Sequence, residues 1–131
     1  MNNKYVTDQK NQFKDKVIII TGSTQGSGAE TAKLFAARGA KAITICGRQE
    51  EKGICVKKEI ELLGSKCLYV KADLNIVEDC KKIVSMTDIE FGTIDSLVNV
   101  AGYTERGTIL SATLDNYEKN FNINTRAPII L

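Results

Sequence analysis

Four consecutive apolar β-branched residues, Val17, Ile18, Ile19 and Ile20, run straight into a glycine-rich turn, Thr21, Gly22, Ser23, Thr24, Gln25, Gly26, Ser27 and Gly28. An alanine-rich segment over residues 29–38 follows at once. A short apolar run bounded by glycines reads as a buried strand of a parallel sheet. In the segment after the turn, Ala32, Phe35 and Ala36 recur at helical spacing and Gly39 supplies the stop. Strand, glycine turn and helix set so close together form the geometry that binds a nucleotide pyrophosphate. Gly22 lets the chain turn sharply off the strand, Gly26 lets phosphate oxygens approach the backbone, and Gly28 lets the helix pack close. The free N–H groups and positive dipole end of the helix then face the anion. The competing reading is a tight turn without a ligand, and the flanking strand and helix weigh against it. A P-loop is excluded because no Gly-Lys-Ser/Thr follows.

The rest of the chain repeats the alternation. Strands are predicted at residues 16–21, 42–46, 67–70 and 95–99. Helices are predicted at 27–38, at 49–63 with Val56, Ile60 and Leu63 on one face, and at 76–91 with Ile76, Val77, Cys80, Ile83, Val84 and Ile89 recurring at helical spacing. A last helix starts near Leu114, capped by Thr113. Residues 1–15 read as a flexible lead-in and 16–131 as a partial dinucleotide-binding domain. Alternating strands and helices imply right-handed crossovers and an α/β, doubly wound parallel sheet of Rossmann-like type, with helices on both faces. The expected strand order is 3-2-1-4, with ligand at the carboxyl ends near the reversal between strands 1 and 4. Every notable polar motif follows the carboxyl end of a predicted strand, and this coincidence is stronger than any single motif.

Composition narrows the partners. Eighteen basic and sixteen acidic residues are spread evenly, so neither a basic stripe for nucleic acid nor an acidic tail is present. Aromatics make up only 6% of the chain and tryptophan is absent, which disfavours a base-stacking surface. Cys46, Cys55, Cys67 and Cys80 lie far apart, with no C-x-x-C and no histidine, so no metal site is expected and the cysteines read as reduced thiols. The start of the chain has no apolar h-region, and no apolar run approaches the roughly 20 residues that span a bilayer. A cytoplasmic location with no membrane partner is therefore expected.

Each strand end has a candidate role. A dinucleotide fold places an acid about 20 residues beyond the glycines to bind the ribose hydroxyls. Gly47 and Arg48 occupy that place here. Arg48 can clamp a 2′-phosphate and stack on adenine, which leans the reading toward NADP over NAD; alternatively it is an exposed arginine at a helix start. Asp73 can accept from the adenine amine, with the Leu74 backbone supporting the ring, or it can form an N-cap or Asx-turn. Asn99, Val100, Ala101 and Gly102 leave the fourth strand with small residues that let a cofactor lie against the backbone. Asn99 can contact the cofactor or bridge strands through its amide.

Together these residues resemble the classical short-chain dehydrogenase/reductase family. Its Thr-Gly-x-x-x-Gly-x-Gly signature matches Thr21, Gly22, Gly26 and Gly28. Its aspartate after the third strand matches Asp73, and its Asn-Asn-Ala-Gly matches Asn99, Ala101 and Gly102. Asn122, Ile123 and Asn124 look like the segment that carries its catalytic asparagine, with Asn124 at the catalytic position. The resemblance spans about residues 14–131. It implies reversible hydride transfer between NAD(P)H and a small alcohol or carbonyl substrate, a water held by Asn124 in the proton relay, and a homo-oligomer for the full-length form. It also implies that Gly22, Ser23, Thr24, Gln25, Gly26, Ser27, Gly28, Arg48, Asp73, Leu74, Asn99, Ala101 and Gly102 contact the cofactor.

The chain departs from the family at several places. Ser27 replaces an aliphatic residue, Val100 replaces the second asparagine, and Gln25 stands where many NADP-preferring members carry a basic residue. The family's proton donor is a tyrosine in Tyr-x-x-x-Lys, assisted by a serine. Four residues beyond Tyr5, Tyr69, Tyr103 and Tyr117 stand Gln9, Asp73, Gly107 and Phe121, so none has a lysine partner. The expectation is an amino-terminal portion of such an oxidoreductase, stopping before the fifth strand and inactive alone, as a frameshift, an early stop or a shortened gene would leave it. The alternatives are a non-catalytic dinucleotide-binding module, or a related enzyme such as a sugar-nucleotide epimerase, which the glycine spacing and the Asn99 segment disfavour.

Overall fold

The computed structural model describes residues 9–131. Four strands, β1 Val17–Ile20, β2 Ala42–Gly47, β3 Lys66–Lys71 and β4 Ser96–Val98, alternate with the helices α1 Gly26–Ala37, α2 Glu50–Leu62 and α3 Val77–Phe91. After β4 come α4 Leu114–Phe121, a π-helical turn Asn122–Arg126 and the short α5 Ala127–Ile130. All strand pairs are parallel and the order is β3-β2-β1-β4, as expected from the alternation.

The β-branched run of β1 explains the layering. Successive side chains of a strand point to opposite faces. Ile18 and Ile20 enter one core with Ala29, Ala32 and Ala36 of α1, Ile43 and Ile45 of β2, and Val56 and Ile60 of α2. Ile19 enters the other with Cys46, Val70, Ala72 and Ile83 of α3. All four β1 residues are at most 1% exposed, so the central strand is covered on both faces. The small alanines of α1 let that helix lie close to the sheet, which places its amino terminus directly over the end of β1.

Two expectations are corrected. Leu63 is not on the buried face of α2: it is the C-cap residue and is half exposed. Ile76 and Ile89 are likewise outside the core, at 50% and 83% exposure. The buried face of α3 runs Cys80, Ile83, Thr87, and Ile89, two residues past Thr87, points to the other side of the helix. Thr87 bonds to the Thr44 hydroxyl on β2 at 2.9 Å and donates to the Ile83 carbonyl at 2.7 Å. The last helix starts at Leu114 with Thr113 as its cap, as expected, and a π-helical turn over Asn122–Arg126 follows α4.

Residues 1–8 of the expected lead-in, Tyr5 included, lie outside the described residues. Residues 9–15 are held to the domain. Gln9–Asn11 forms a 3-10 turn, the Phe13 ring stacks on Phe35 at 4.2 Å, and the Phe13 N–H donates to the Arg38 carbonyl. Among the described residues no helix is long and apolar enough to cross a membrane, and no group of acidic, cysteine or histidine side chains is placed to hold a metal ion.

Candidate functional site

The crevice lies where the strand order reverses. Its volume is about 680 Å³, larger than two other clefts of about 500 and 390 Å³. The turn after β1 forms its floor, and the ends of β2, β3 and β4 form its walls. This is the place where open α/β sheets bind ligands.

The floor is built by three glycines, each for a different reason. Gly22 adopts φ +62°, and a Cβ there would stand 2.7 Å from the Ala101 Cα, so the β1 turn and the β4 exit loop touch backbone to backbone. A Cβ on Gly28 would collide with the Gly22 carbonyl, so α1 starts against the turn itself. Gly26 adopts φ +57° and faces open space, with nothing within 4 Å of its missing Cβ. Gln25, the N-cap of α1, makes no side-chain cap bond. The first-turn N–H groups of a helix have no intrahelical acceptor. Here no capping side chain covers them, and Gln25, Gly26 and Ser27 line the crevice. These residues fit a pyrophosphate: open space over Gly26, uncapped donors and the positive end of a helix dipole.

The walls are positioned by hydrogen bonds from the same turn. Thr21 Oγ1 accepts from the N–H groups of Val100 and Ala101, both at 3.2 Å, and its own N–H donates to the Val98 carbonyl. Ser23, expected at the cofactor, turns inward instead. It is fully buried, its hydroxyl donates to the Ile20 carbonyl and it accepts from the Cys46 N–H, so its side chain ties β1 to β2 and forms no crevice wall. Thr24 and Gly47 pack so closely that a Cβ on Gly47 would lie 2.5 Å from Thr24 Oγ1.

Of the expected contact residues, Gly22, Thr24, Gln25, Gly26, Ser27, Arg48, Asp73, Leu74, Ala101 and Gly102 come together around the crevice. Ser23, Gly28, Asn99 and Asn124 do not line it. Arg48 is exposed on the rim and makes no hydrogen bond or ion pair among the described residues. Asp73 closes an Asx-turn, Oδ1 accepting from the Asn75 N–H at 2.9 Å, while its own N–H donates to Asp79 Oδ2. An ionised carboxylate has about four lone-pair sites, so this turn still leaves acceptors toward the crevice. Asn99 is exposed and bridges no strands among the described residues. Asn124 clasps the β4 exit loop through the Tyr103 backbone: Oδ1 accepts its N–H at 2.8 Å and Nδ2 donates to its carbonyl at 2.7 Å.

Sequence reasoning missed Asn75, Tyr103, Lys119 and Ile123 on the walls. It also missed the link from the β3–α3 loop to the π-helical turn, where Asn122 Nδ2 donates to Asn75 Oδ1 and Arg126 to the Asn75 carbonyl. A π-helical turn often marks a functional place in a helix, but its sequence carries no local sign of it.

The groups at or near the crevice whose proton affinity is shifted move away from neutrality. A bond to Glu105 holds the Tyr103 phenol above its ordinary value, the wrong direction for a proton donor near neutral pH. Tyr69 is also raised, chiefly by burial, and its hydroxyl donates to the Gly47 carbonyl. Burial pushes the Cys46 thiol up to about 12, so it stays protonated.

Comparison with known proteins decides the family. The sequence matches the short chain dehydrogenase family over residues 16–131. The chain belongs to the short-chain dehydrogenase family. An oxidoreductase of Thermotoga maritima is 34% identical over 119 residues, covering 91% of this chain and 46% of that protein. Two solved members of the fold have the same shape. L-sorbose reductase of Gluconobacter frateurii, in complex with NADPH and L-sorbose, superposes with a TM-score of 0.88 at 29% identity, over 93% of this chain and 46% of that one. A short-chain dehydrogenase of Burkholderia cenocepacia in complex with NADP gives 0.88 at 33% identity, over 92% of this chain and 49% of that one. The chain spans about half the length of the relatives it matches.

Proposed function

We propose that this chain is the cofactor-binding portion of an NADP(H)-preferring oxidoreductase acting on a small alcohol or carbonyl compound. The open, uncapped start of α1 at Gly26, facing Ala101 and Gly102 across the crevice, carries the reading. The NADP(H)-bound relatives support it. When bound, the dinucleotide supplies or accepts the hydride exchanged with the substrate.

The chain's own residues bind and orient. The N–H groups of Gly26 and Ser27 hold the pyrophosphate, and Arg48 pairs with the 2′-phosphate on the adenosine ribose. Asp73 accepts from the adenine amine while its Asx-turn fixes the loop, and Leu74 supports the ring. Ala101 and Gly102 have little or no side chain, so the nicotinamide half can lie flat against the β4 exit. Asn124 spends both amide groups on Tyr103. Asn124 is the residue to hold a water in the proton relay, through the lone pairs that its clasp on Tyr103 leaves free. Ser23 and Gly28 support this frame without touching the cofactor through a side chain. The assembly that performs the reaction is proposed to be a homo-oligomer.

Titration of the chain and its Arg48→Asp variant with NADPH and NADH tests the reading. The substitution puts a carboxylate where the phosphate would lie. It is expected to weaken NADPH at least about tenfold while NADH holds or improves. An unchanged ratio of the two affinities removes Arg48 from the phosphate role.

A further inference from the structure

Arg48 lines the crevice beside the carboxyl end of β2, and Lys52 reaches the Gln25 wall of the same crevice from α2. Arg48 makes no bond among the described residues, and Lys52 makes no ion pair there. Lys52 is the third residue of α2, and its ammonium donates to Gln25 Oε1 at 2.6 Å. Of the acids nearby, Glu50 lies 3.5 Å from Lys71, and Glu51 is exposed without an ion-pair partner.

The position of Lys52 is not one that α2 favours on its own account. The first turn of a helix is its positive end, where acids stabilise and a cation does not. Glu50 and Glu51 have the favoured sign, and Lys52, in the same turn, has the wrong one. Gln25 is unusual too. It holds the N-cap position of α1, yet its side chain gives no cap bond and its carbonyl oxygen goes to Lys52 instead. The result is a corner rich in donors: the Arg48 guanidinium, the Gln25 amide N–H groups and the remaining Lys52 protons. Gln25 and Arg48 both line the crevice. Such a corner complements a compact dianion.

We infer that Lys52, steered by Gln25, is the second cation for the 2′-phosphate of the dinucleotide. It replaces the basic side chain that the β1 turn lacks at position 25. The inference rests on the dinucleotide reading above. Gln25 is a positioning residue, holding the Lys52 ammonium beside the crevice that Gln25 lines. Lys52 makes the contact, from α2 rather than from the glycine turn.

The test compares NADPH and NADH binding by the 131-residue chain and three variants, read by fluorescence of the reduced nicotinamide. Lys52→Gln is expected to weaken NADPH about fivefold and NADH by less than about twofold, the scale of one exposed charge-assisted bond. Gln25→Ala is expected to shift the ratio in the same direction by less, because the ammonium remains but is no longer steered. Lys58→Gln removes the same charge from the same helix about 9 Å further from the crevice, at 1.5 Å per residue, and is expected to leave the ratio alone. A Lys52→Gln ratio equal to that of Lys58→Gln overturns the inference while leaving the dinucleotide site standing. Failure of the unaltered chain to bind either nucleotide overturns both.

Discussion

β2 and β4 flank the same central strand, yet they are held to it in different ways. β2 is six residues long, pairs on both edges and has its first five residues buried. β4 has three residues, pairs with β1 alone and is half exposed. What β4 lacks in burial is supplied by polar ties at both ends. At its start, Asp95 accepts from the Val17 N–H at 2.8 Å and pairs with Lys16 at 3.3 Å. At its exit, Thr21 holds Val100 and Ala101. The crevice opens along this seam. One wall stands on a packed core, whose energy is non-directional and hard to remove piecemeal. The other hangs on a few directional bonds that single substitutions can cut.

The contrast is broken most severely in the core. Ile43→Ala deletes a fully buried side chain between the sheet and α1 and should cost about 3 kcal/mol, whereas Leu97→Ala on the half-exposed β4 should cost about 1 kcal/mol. Urea denaturation of both variants measures the difference, and equal losses would erase the distinction between the two walls.

A smaller effect is expected at the seam. Thr21→Val keeps the shape and removes the acceptor of two N–H groups, for about 2 kcal/mol. Hydrogen exchange should then accelerate at residues 100–103 with little change in β2 and β3. A uniform rise across the sheet would show that the β4 exit is not a separate unit.

The smallest effect is pH-dependent. The Val17 N–H, with Lys16 beside it, holds Asp95 below its ordinary 3.8. A carboxylate whose folded value is depressed stabilises the fold above its unfolded value and loses that contribution as pH falls through the folded one. Stability relative to Asp95→Asn should therefore be constant from neutral pH down to about 4, then shrink below it. A difference that grows on acidification would contradict the assignment.

The strands and their order were legible because each signal is local: β-branched runs bounded by glycines, alternating with helical spacing. The glycine turn was legible in the same way, and the structure gives Gly22, Gly26 and Gly28 distinct surroundings. What escaped was tertiary. Thr87 is polar, yet it is fully buried on α3, where its hydroxyl meets that of Thr44 across the layer, while the apolar Ile89 is exposed. Gly53 sits inside a helix because the Tyr69 ring lies where its side chain would be. Ser23 reads as a turn residue facing a ligand, but the buried Ile20 carbonyl and Cys46 N–H claim its hydroxyl. The Asn75, Asn122 and Arg126 contacts join segments some fifty residues apart in sequence, beyond the reach of any local pattern.

The central claim is that the crossover from β1 into α1 cradles the phosphates of a dinucleotide. Residue-resolved amide shifts of the chain, recorded while NADPH is added, test it most directly. The largest saturable changes are expected at Gly26 and Ser27, with further changes at residues 47–49, 73–75 and 100–103, and none at residues 57–67 on the far edge. Binding that leaves Gly26 and Ser27 unmoved, or that moves the far edge instead, would contradict it.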